Sequence, residues 1–247
     1  MPAIFCIFWT VFGLCVGSFC NVLIFRIPKG EEFVRSASHC MHCGHPLKWY
    51  ENIPLVSWLV QGGKCRACKT PISRQYPIVE ALNAALWLLA ALRCGDILSA
   101  VLLSVLSSIL VVIAVIDWRT FTIPNGLNLA IFVLGLVRVA TDSAHWPGYL
   151  IGMVSVAGLF LLLWALTGGR GLGMGDVKLM GAAGLLIGVL NILLAMIVGS
   201  VAGAVIHSVR MRRGAGRKLA FGPYLAFGIW FAALFGSGVW NAYLSLF

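Results

Sequence analysis

The chain has 247 residues, of which 60% are hydrophobic and only 11% are charged. A soluble domain carries about 25% charged residues and cannot hide so large an apolar fraction. The composition therefore excludes a soluble fold and predicts a multi-pass membrane protein. The net charge of +10 does not indicate nucleic acid binding, because the basic residues lie in short runs between long apolar stretches, as in membrane topologies.

The first apolar segment, 3–25, is long enough for a spanning helix, which needs about 20 residues. It has no charge before Arg26, so we expect an uncleaved first helix whose N-terminus lies outside. Segment 77–92 is short and contains Glu80. The remaining candidates, in chain order, are 97–116, 121–137, 146–169, 179–209 and 219–247.

The positive-inside rule places the basic stretches 26–77 and 210–218 in the cytoplasm. The segment 179–209 must then cross twice, with a turn near Gly184, Gly188 and Asn191. This topology has eight helices with both ends outside. Each half of 179–209 would have about 15 residues and span about 23 Å, less than the hydrocarbon core of about 30 Å, so local membrane thinning is expected there. The alternative is one long helix and a reversed C-terminus.

Two C-x-x-C pairs lie in the first basic stretch, at Cys40 and Cys43 and at Cys65 and Cys68. This spacing suits four thiolates around one tetrahedral zinc ion, and it predicts a closed structural site in a zinc-ribbon-like loop. The alternative is two disulfides in an exterior loop, which a cytoplasmic location disfavours.

Other potential zinc ligands lie near the cysteine pairs. With four cysteines available, we expect no histidine to replace a sulfur, and we expect the remaining cysteines to act as small apolar residues. The histidines are His39, His42 and His45, and the remaining cysteines are Cys6, Cys15, Cys20 and Cys94.

Three of the eight acidic residues lie at or within membrane segments: Glu80, Asp117 and Asp176. A carboxylate in such a position is costly and marks a candidate functional site. The topology, drawn from basic residues alone, places Asp117 and Asp176 at one depth on the cytoplasmic side. Two carboxylates held close share a proton, so one can activate a water while the other acts as acid. We expect Glu80 to pair with a basic loop residue, and a role as a third site stays open.

Asp176 lies in the run Gly173-Met174-Gly175-Asp176, with Lys178 two residues further on. Glycine permits close backbone approach, so Gly173 and Gly175 would let a peptide pass beside Asp176. Lys178 would bias the local potential or mark the membrane interface. The alternative is that Asp176 only caps a helix N-terminus.

Together these residues resemble the bacterial type IV prepilin peptidases, the leader peptidase and N-methyltransferase family. The G-x-G-D motif alone also occurs in presenilin-like and archaeal preflagellin peptidases, so the specificity lies in the order of the full set. Asn125 stands where many members have Asp, and Met41 and His42 stand where proline is common. The matching runs are 17–22, 26–28, 40–43, 52–54, 57–59, 65–68, 72–80, 116–117, 123–125, 173–179 and 221–226.

The resemblance implies an aspartic endopeptidase of the bacterial inner membrane. It would cleave type IV prepilins, and pseudopilins of type II secretion, after a glycine at the cytoplasmic face. It also implies N-methylation of the new N-terminus with S-adenosylmethionine, because members with the cysteine loop are usually bifunctional. No glycine-rich nucleotide motif is visible. Gly17, Ser18, Asn21 and the cysteine loop are candidates for the methyl-donor site, which the sequence does not place.

The expected fold class is all-α, a polytopic membrane helix bundle of about eight transmembrane helices with a small cytoplasmic zinc-ribbon-like loop domain. We expect the first transmembrane helix at 1–27, the zinc-binding loop domain at 28–77 and a seven-helix peptidase core at 78–247. The expected partners are prepilin substrates and membrane lipid, and the oligomeric state is open. Two rival functions are a proton-coupled transporter and a zinc-ribbon membrane scaffold without catalysis.

Overall fold

The structure is a computed structural model that describes residues 2–34, 38–214 and 218–246. Within these ranges the chain forms nine α-helices and no β-strand, which confirms the all-α fold class. Short 3₁₀ turns lie at Ile27–Lys29, Trp49–Glu51 and Ser143–His145. The α-helices are α1 (Ala3–Arg26), α2 (Val56–Val60), α3 (Gln75–Arg93), α4 (Ile97–Thr120), α5 (Asn125–Thr141), α6 (Trp146–Thr167), α7 (Met174–Ile187), α8 (Val189–Arg212) and α9 (Gly222–Leu244).

Among the described residues, six helices are long and apolar enough to cross a membrane: α1, α3, α4, α6, α8 and α9. The sequence predicted eight crossings, and the other two segments form the shorter helices α5, with 17 residues, and α7, with 14. Helix α7 is about 21 Å long, short of a hydrocarbon core of about 30 Å. The sequence predicts that both halves of 179–209 are shorter than the hydrocarbon core. Only α7 is that short, because α8 has 24 residues.

The segment 179–209 is divided into two helices at Gly188, as predicted, and the alternative of one long helix is wrong. Gly188 has φ 79° and ψ 171°, a region open essentially to glycine alone. The other two suggested turn residues lie inside helices. Gly184 lies against the backbone of Gly152 in α6, and the side chain of Asn191 donates to the carbonyl of Ile187 at 3.0 Å.

Residues Met1–Val112 form one compact unit, in which α1 packs along α3. A chain of buried hydrogen bonds ties these helices to α4. The amide of Asn83 donates to the carbonyl of Gly13 at 2.7 Å, and Ser108 donates to Asn83 Oδ1 at 2.8 Å. The indole of Trp87 donates to Ser108 Oγ at 2.9 Å. Such bonds between helices satisfy polar groups that lipid cannot.

Residues Ile113–Phe247 form the second compact unit, with α7 at its centre and packed against α5 and α6. Glycines allow the helix backbones to touch. A Cβ on Gly152 of α6 would lie 2.6 Å from the carbonyl oxygen of Gly184 in α7. A Cβ on Gly199 of α8 would lie 2.9 Å from the carbonyl oxygen of Tyr224 in α9. Small residues at such crossings are typical of membrane helix packing.

Asp142 joins α5 to α6 through its side chain. The hydroxyl of Tyr149 donates to Oδ2 at 2.6 Å, His145 Nδ1 lies 2.8 Å from Oδ1, and Arg138 Nη2 lies 3.6 Å from Oδ2. The hydrogen bond from Tyr149, followed by the one from His145, lowers the pKa of the Asp142 carboxyl. The ionised form is therefore the one that stabilises the fold.

We expect Asp142→Asn to lower the thermal midpoint of unfolding at pH 7. A depressed pKa contributes stability above the unfolded-state value of about 3.9, and this contribution is lost as the pH falls through the folded-state pKa. The difference between wild type and variant should shrink below about pH 4. Melting curves in detergent between pH 3 and pH 8 measure it. A difference independent of pH would contradict the assignment.

Candidate functional site

The two C-x-x-C turns in the first unit have the same hydrogen-bond pattern. The N–H of Cys40 donates to the carbonyl of His45 at 2.8 Å, and the N–H of Cys65 donates to the carbonyl of Thr70 at 2.9 Å. In each turn the residue after the second cysteine donates back to the first cysteine, at 2.9 Å. An isolated antiparallel bridge closes each turn.

The residue after each second cysteine has a left-handed backbone. Gly44 has φ 71°, and the equivalent Lys69 has φ 60°. Glycine adopts this conformation without strain, whereas a residue with a Cβ does so at a cost. The first turn therefore has the residue that its geometry favours, and the second does not.

The four sulfur atoms of Cys40, Cys43, Cys65 and Cys68 all lie within 4.8 Å of one another, and Cys40 and Cys68 Sγ are 3.9 Å apart. Zinc–sulfur bonds of about 2.3 Å in a tetrahedron place the sulfurs about 3.8 Å apart. None of the eight cysteines, all of which lie in the described ranges, forms a disulfide, so the alternative of two disulfides is wrong. The donor chemistry and the spacing both fit one metal ion with four thiolate ligands.

Hydrogen bonds lower the pKa of Cys40 and Cys68. At Cys43 a hydrogen bond from the His45 backbone is outweighed by desolvation and the neighbouring sulfurs, which raise the pKa of Cys43 to about 11. Hydrogen bonds from Thr70, whose hydroxyl lies 3.3 Å from the sulfur, lower the pKa of Cys68 to about 5. His45 lies against Glu51 at 3.4 Å and is not part of the metal-binding group. The backbone N–H of Lys48 donates to Glu51 at 2.9 Å, which lowers the pKa of that carboxyl.

Glu80 in α3 is buried, with 6% of its surface exposed. Its Oε2 accepts a hydrogen bond from the backbone N–H of Leu55 at 2.8 Å, and its Cα would lie 2.8 Å from a Cβ on Gly17 of α1. The expected basic partner from the loop is thus replaced by a loop backbone group. Glu80 joins the loop to α1 and α3.

Asp117 lies three residues before the end of α4, in the second unit, with 5% of its surface exposed. The segment predicted at 97–116 therefore continues as helix past the aspartate. Oδ2 of Asp117 accepts a hydrogen bond from the backbone N–H of Gly222 at 2.9 Å. A Cβ on Gly222 would lie 2.7 Å from the same oxygen. Only a residue without a side chain leaves room for this contact.

Asp176 is the third residue of α7, and 8% of its surface is exposed. Its Oδ2 accepts a hydrogen bond from the backbone N–H of Gly173 at 3.1 Å, while its own N–H donates to the Gly173 carbonyl at 3.1 Å. Asp176 therefore does cap the helix, as the simpler alternative held. This contact occupies one carboxylate oxygen.

The predicted supporting residues surround Asp176. Gly175 is packed against Ile123, where an added Cβ would lie 3.0 Å from the Ile123 Cβ. The amide of Asn128 in α5 donates to the carbonyl of Gly175 at 3.3 Å. Lys178 donates to the side chain of Asn125 at 3.0 Å. The start of α5 therefore holds the G-x-G-D segment from one side.

The charge of Asp117 acts on the carboxyl of Asp176, so the two groups lie within electrostatic range. Among the described residues, each carboxylate is bonded through Oδ2 alone. Two such groups share a proton more readily than both ionise. The arrangement can perform general acid–base chemistry on a polar bond, with one group as base and the other as acid.

Two residues of this site are not predicted from the sequence. Gly222 stands in the matching run 221–226 without a role of its own, and Asn128 lies outside every matching run. The sequence signal for Gly222 is a glycine before Pro223 at the start of a helix, which is typical of a helix N-terminus. Asn128 had one weak signal, an amide in an apolar helix.

We expect Cys40→Ser to lose most of its bound metal, because a hydroxyl does not replace a thiolate in a four-sulfur site. Elemental analysis of the purified protein measures the metal per chain. Cys94→Ser is the matched control, since Cys94 lies outside the cluster, and it should keep about one equivalent. Wild-type protein without metal would contradict a metal centre.

Two family models match the chain: Bacterial Peptidase A24 N-terminal domain over residues 11–94 and Type IV leader peptidase family over residues 104–208. Among curated relatives, the prepilin leader peptidase/N-methyltransferase of Xanthomonas campestris pv. campestris is 36% identical, over 94% of this chain and 92% of the relative. Those of Stutzerimonas stutzeri and Pseudomonas aeruginosa are each 34% identical, over 98% of this chain and 95% and 94% of the relatives.

No solved structure gave a significant match. These three relatives are similar along nearly their whole length, and the two models match parts of both compact units. The chain belongs to the type IV leader peptidase family.

Proposed function

We propose that the chain is a membrane aspartic endopeptidase that removes the leader of type IV prepilins and pseudopilins after a glycine, and that it N-methylates the new N-terminus with S-adenosylmethionine. The relatives carry the name prepilin leader peptidase/N-methyltransferase. The observation that carries the peptidase assignment is the pair Asp117 and Asp176, both buried in the second unit at the ends of two helices.

The proposed cleavage needs one ionised and one protonated carboxyl. The ionised group takes a proton from water as the water oxygen attacks the scissile carbonyl carbon. The protonated group donates to the carbonyl oxygen, and the proton then moves to the leaving amine as the C–N bond breaks. The backbone donors Gly222 and Gly173 fix one oxygen of each aspartate. The second oxygen of each is the one we assign to water and substrate.

The sidedness is proposed from charge. Of the eighteen Lys and Arg, only Arg93 and Arg138 fall outside in the predicted topology. We place the aspartates and the cysteine loop at the cytoplasmic face of the inner membrane. We also retain the division into a first transmembrane helix at 1–27, a loop domain at 28–77 and a peptidase core at 78–247.

We assign the metal as zinc with a structural role. The four cysteines fill a tetrahedral shell and leave no position for a catalytic water. The loop has little apolar material for a core of its own, so the metal would stabilise it by joining its two turns.

We expect Asp117→Asn and Asp176→Asn each to lower prepilin cleavage by at least about 100-fold, because asparagine cannot exchange a proton. The measurement is incubation with a prepilin in detergent, with and without S-adenosylmethionine, followed by mass spectrometry. Asparagine retains an oxygen that can accept the Gly173 N–H, so a residue that only caps α7 would tolerate the change.

Asp96→Asn is the matched control, because Asp96 caps α4 through the N–H of Ser99 at 2.8 Å. It should cleave like the wild type. Full cleavage by either active-site variant would remove the catalytic role of that aspartate, whereas a wild type that does not cleave would leave a transporter or a scaffold. Cleavage without a mass gain of one methyl group would remove the methyltransferase assignment alone.

We expect Gly222→Ala to lower cleavage by about 10-fold to 100-fold, because the new Cβ displaces the Asp117 carboxylate and small displacements of reacting groups are costly. Gly238→Ala, in the same helix, has nothing within 4 Å of its Cβ position and serves as the control. Comparable initial rates for both variants would show that the Asp117 contact is not needed.

A further inference from the structure

A groove lies between α1 and the cysteine loop in the first unit, with a volume of about 360 Å³. Helix α1 contributes Ser18 and Phe19, and the loop contributes Phe33, Ser38 and Asn52. The volume lies in the range of small-molecule sites, about 300–1,000 Å³. None of these residues takes part in the carboxylate pair or the sulfur cluster.

A single buried glutamate contacts both sides of this groove. The backbone of Glu80 packs against Gly17 of α1, next to Ser18, and its carboxylate accepts from the N–H of Leu55, which follows the lining residue Pro54 on the loop wall. Leu55 has φ 60° and ψ −50°, a positive φ that is unusual for leucine. Strained backbone held by a specific contact is typical of functional sites.

The helix side of the groove is fixed by close packing. A Cβ on Gly17 would lie 2.8 Å from the Cα of Glu80, so α1 and α3 touch at the level of Ser18. The amide of Asn21 donates to the carbonyl of Tyr76 at 3.2 Å, one turn further along. The groove is therefore formed by anchored elements, which suits the binding of a defined ligand.

The residues that line the groove have the chemistry to bind a nucleoside that carries a cationic group. Phe19 and Phe33 offer aromatic faces, on which a purine stacks and to which a sulfonium cation is attracted. Ser18, Ser38 and Asn52 offer hydroxyl and amide groups for a ribose and an amino-acid head. S-adenosylmethionine combines these three parts.

We propose that this groove is the binding site of the methyl donor, with Glu80 as the residue that positions its two walls. The inference rests on the proposed N-methylation. In that reaction a nitrogen–carbon bond forms at the uncharged amine of the processed substrate, the sulfur–carbon bond of the sulfonium breaks, and the amine releases one proton to water. Two of the candidates named from the sequence, Ser18 and the cysteine loop, are thereby joined in one site.

The test is equilibrium binding of S-adenosylmethionine to the full-length protein in detergent, by isothermal titration calorimetry. Phe19→Ala should raise the Kd by about 5-fold to 150-fold, the range for loss of one stacked base. Phe8→Ala is the matched control, because Phe8 is also an exposed phenylalanine of α1 but does not line the groove. Asn52→Leu is a second groove variant in the loop, and bound metal verifies that the loop of each variant is folded.

Unchanged affinity in both groove variants overturns the inference. If the wild type then still methylates a processed prepilin, the methyltransferase function stands and the donor binds elsewhere. If the wild type neither binds the donor nor methylates, the proposed N-methylation fails together with the inference. Labelling of the groove by a photoreactive phospholipid, with unchanged donor affinity in both variants, would identify a lipid cleft and overturn the donor site.

Discussion

Each of the three carboxylates buried in the described α-helices accepts a hydrogen bond from a backbone N–H at a helix N-terminus. Glu80 takes the N–H of Leu55 before α2, Asp117 takes that of Gly222 in α9, and Asp176 takes that of Gly173 before α7. The first N–H groups of a helix have no partner within it and carry partial positive charge. They stabilise an acid in an apolar setting and fix its position. Unlike an arginine, they do not supply a full opposite charge, so proton exchange remains accessible.

The same contacts explain the glycines near the acids. A backbone N–H reaches a carboxylate closely only where no Cβ intervenes, as at Gly222. Gly17 brings α1 against the backbone of Glu80 in a similar way. The helix crossings at Gly152 and Gly184 draw on the same property, which lets membrane helices gain packing without a hydrophobic driving force. Glycine thus serves both the packing of the helices and the placement of the acids.

Much of this architecture was predictable, because the signals were local and strong. The four cysteines, the break at Gly188 and the aspartates at helix ends all follow from spacing, charge and hydropathy. The extension of α4 beyond Asp117 was missed, because a charged residue ends an apolar run without ending a helix. The delayed start of α5 follows from Pro124, whose extended backbone keeps 121–124 outside the helix.

The partners of the acids were not predictable in the same way. The contact between Asp117 and Gly222 joins residues 105 positions apart, and that between Glu80 and Leu55 joins a helix to an irregular loop. Hydropathy does not report which backbone group meets which side chain. Charge counting favours a basic partner for Glu80, because it considers side chains alone, whereas backbone N–H groups at a helix N-terminus can also bind an acid.

The equivalence of Gly44 and Lys69 has a consequence for the order in which the cysteine loop opens. Both residues have the same left-handed backbone, but only lysine is strained in it, by about 1 kcal/mol. Once the sulfurs are no longer held together, this strain lowers the free energy of local unfolding of the half of the loop that contains Lys69. Its amide hydrogens, including that of Cys65, would exchange with solvent before those of the first half, so the two similar turns would open one after the other.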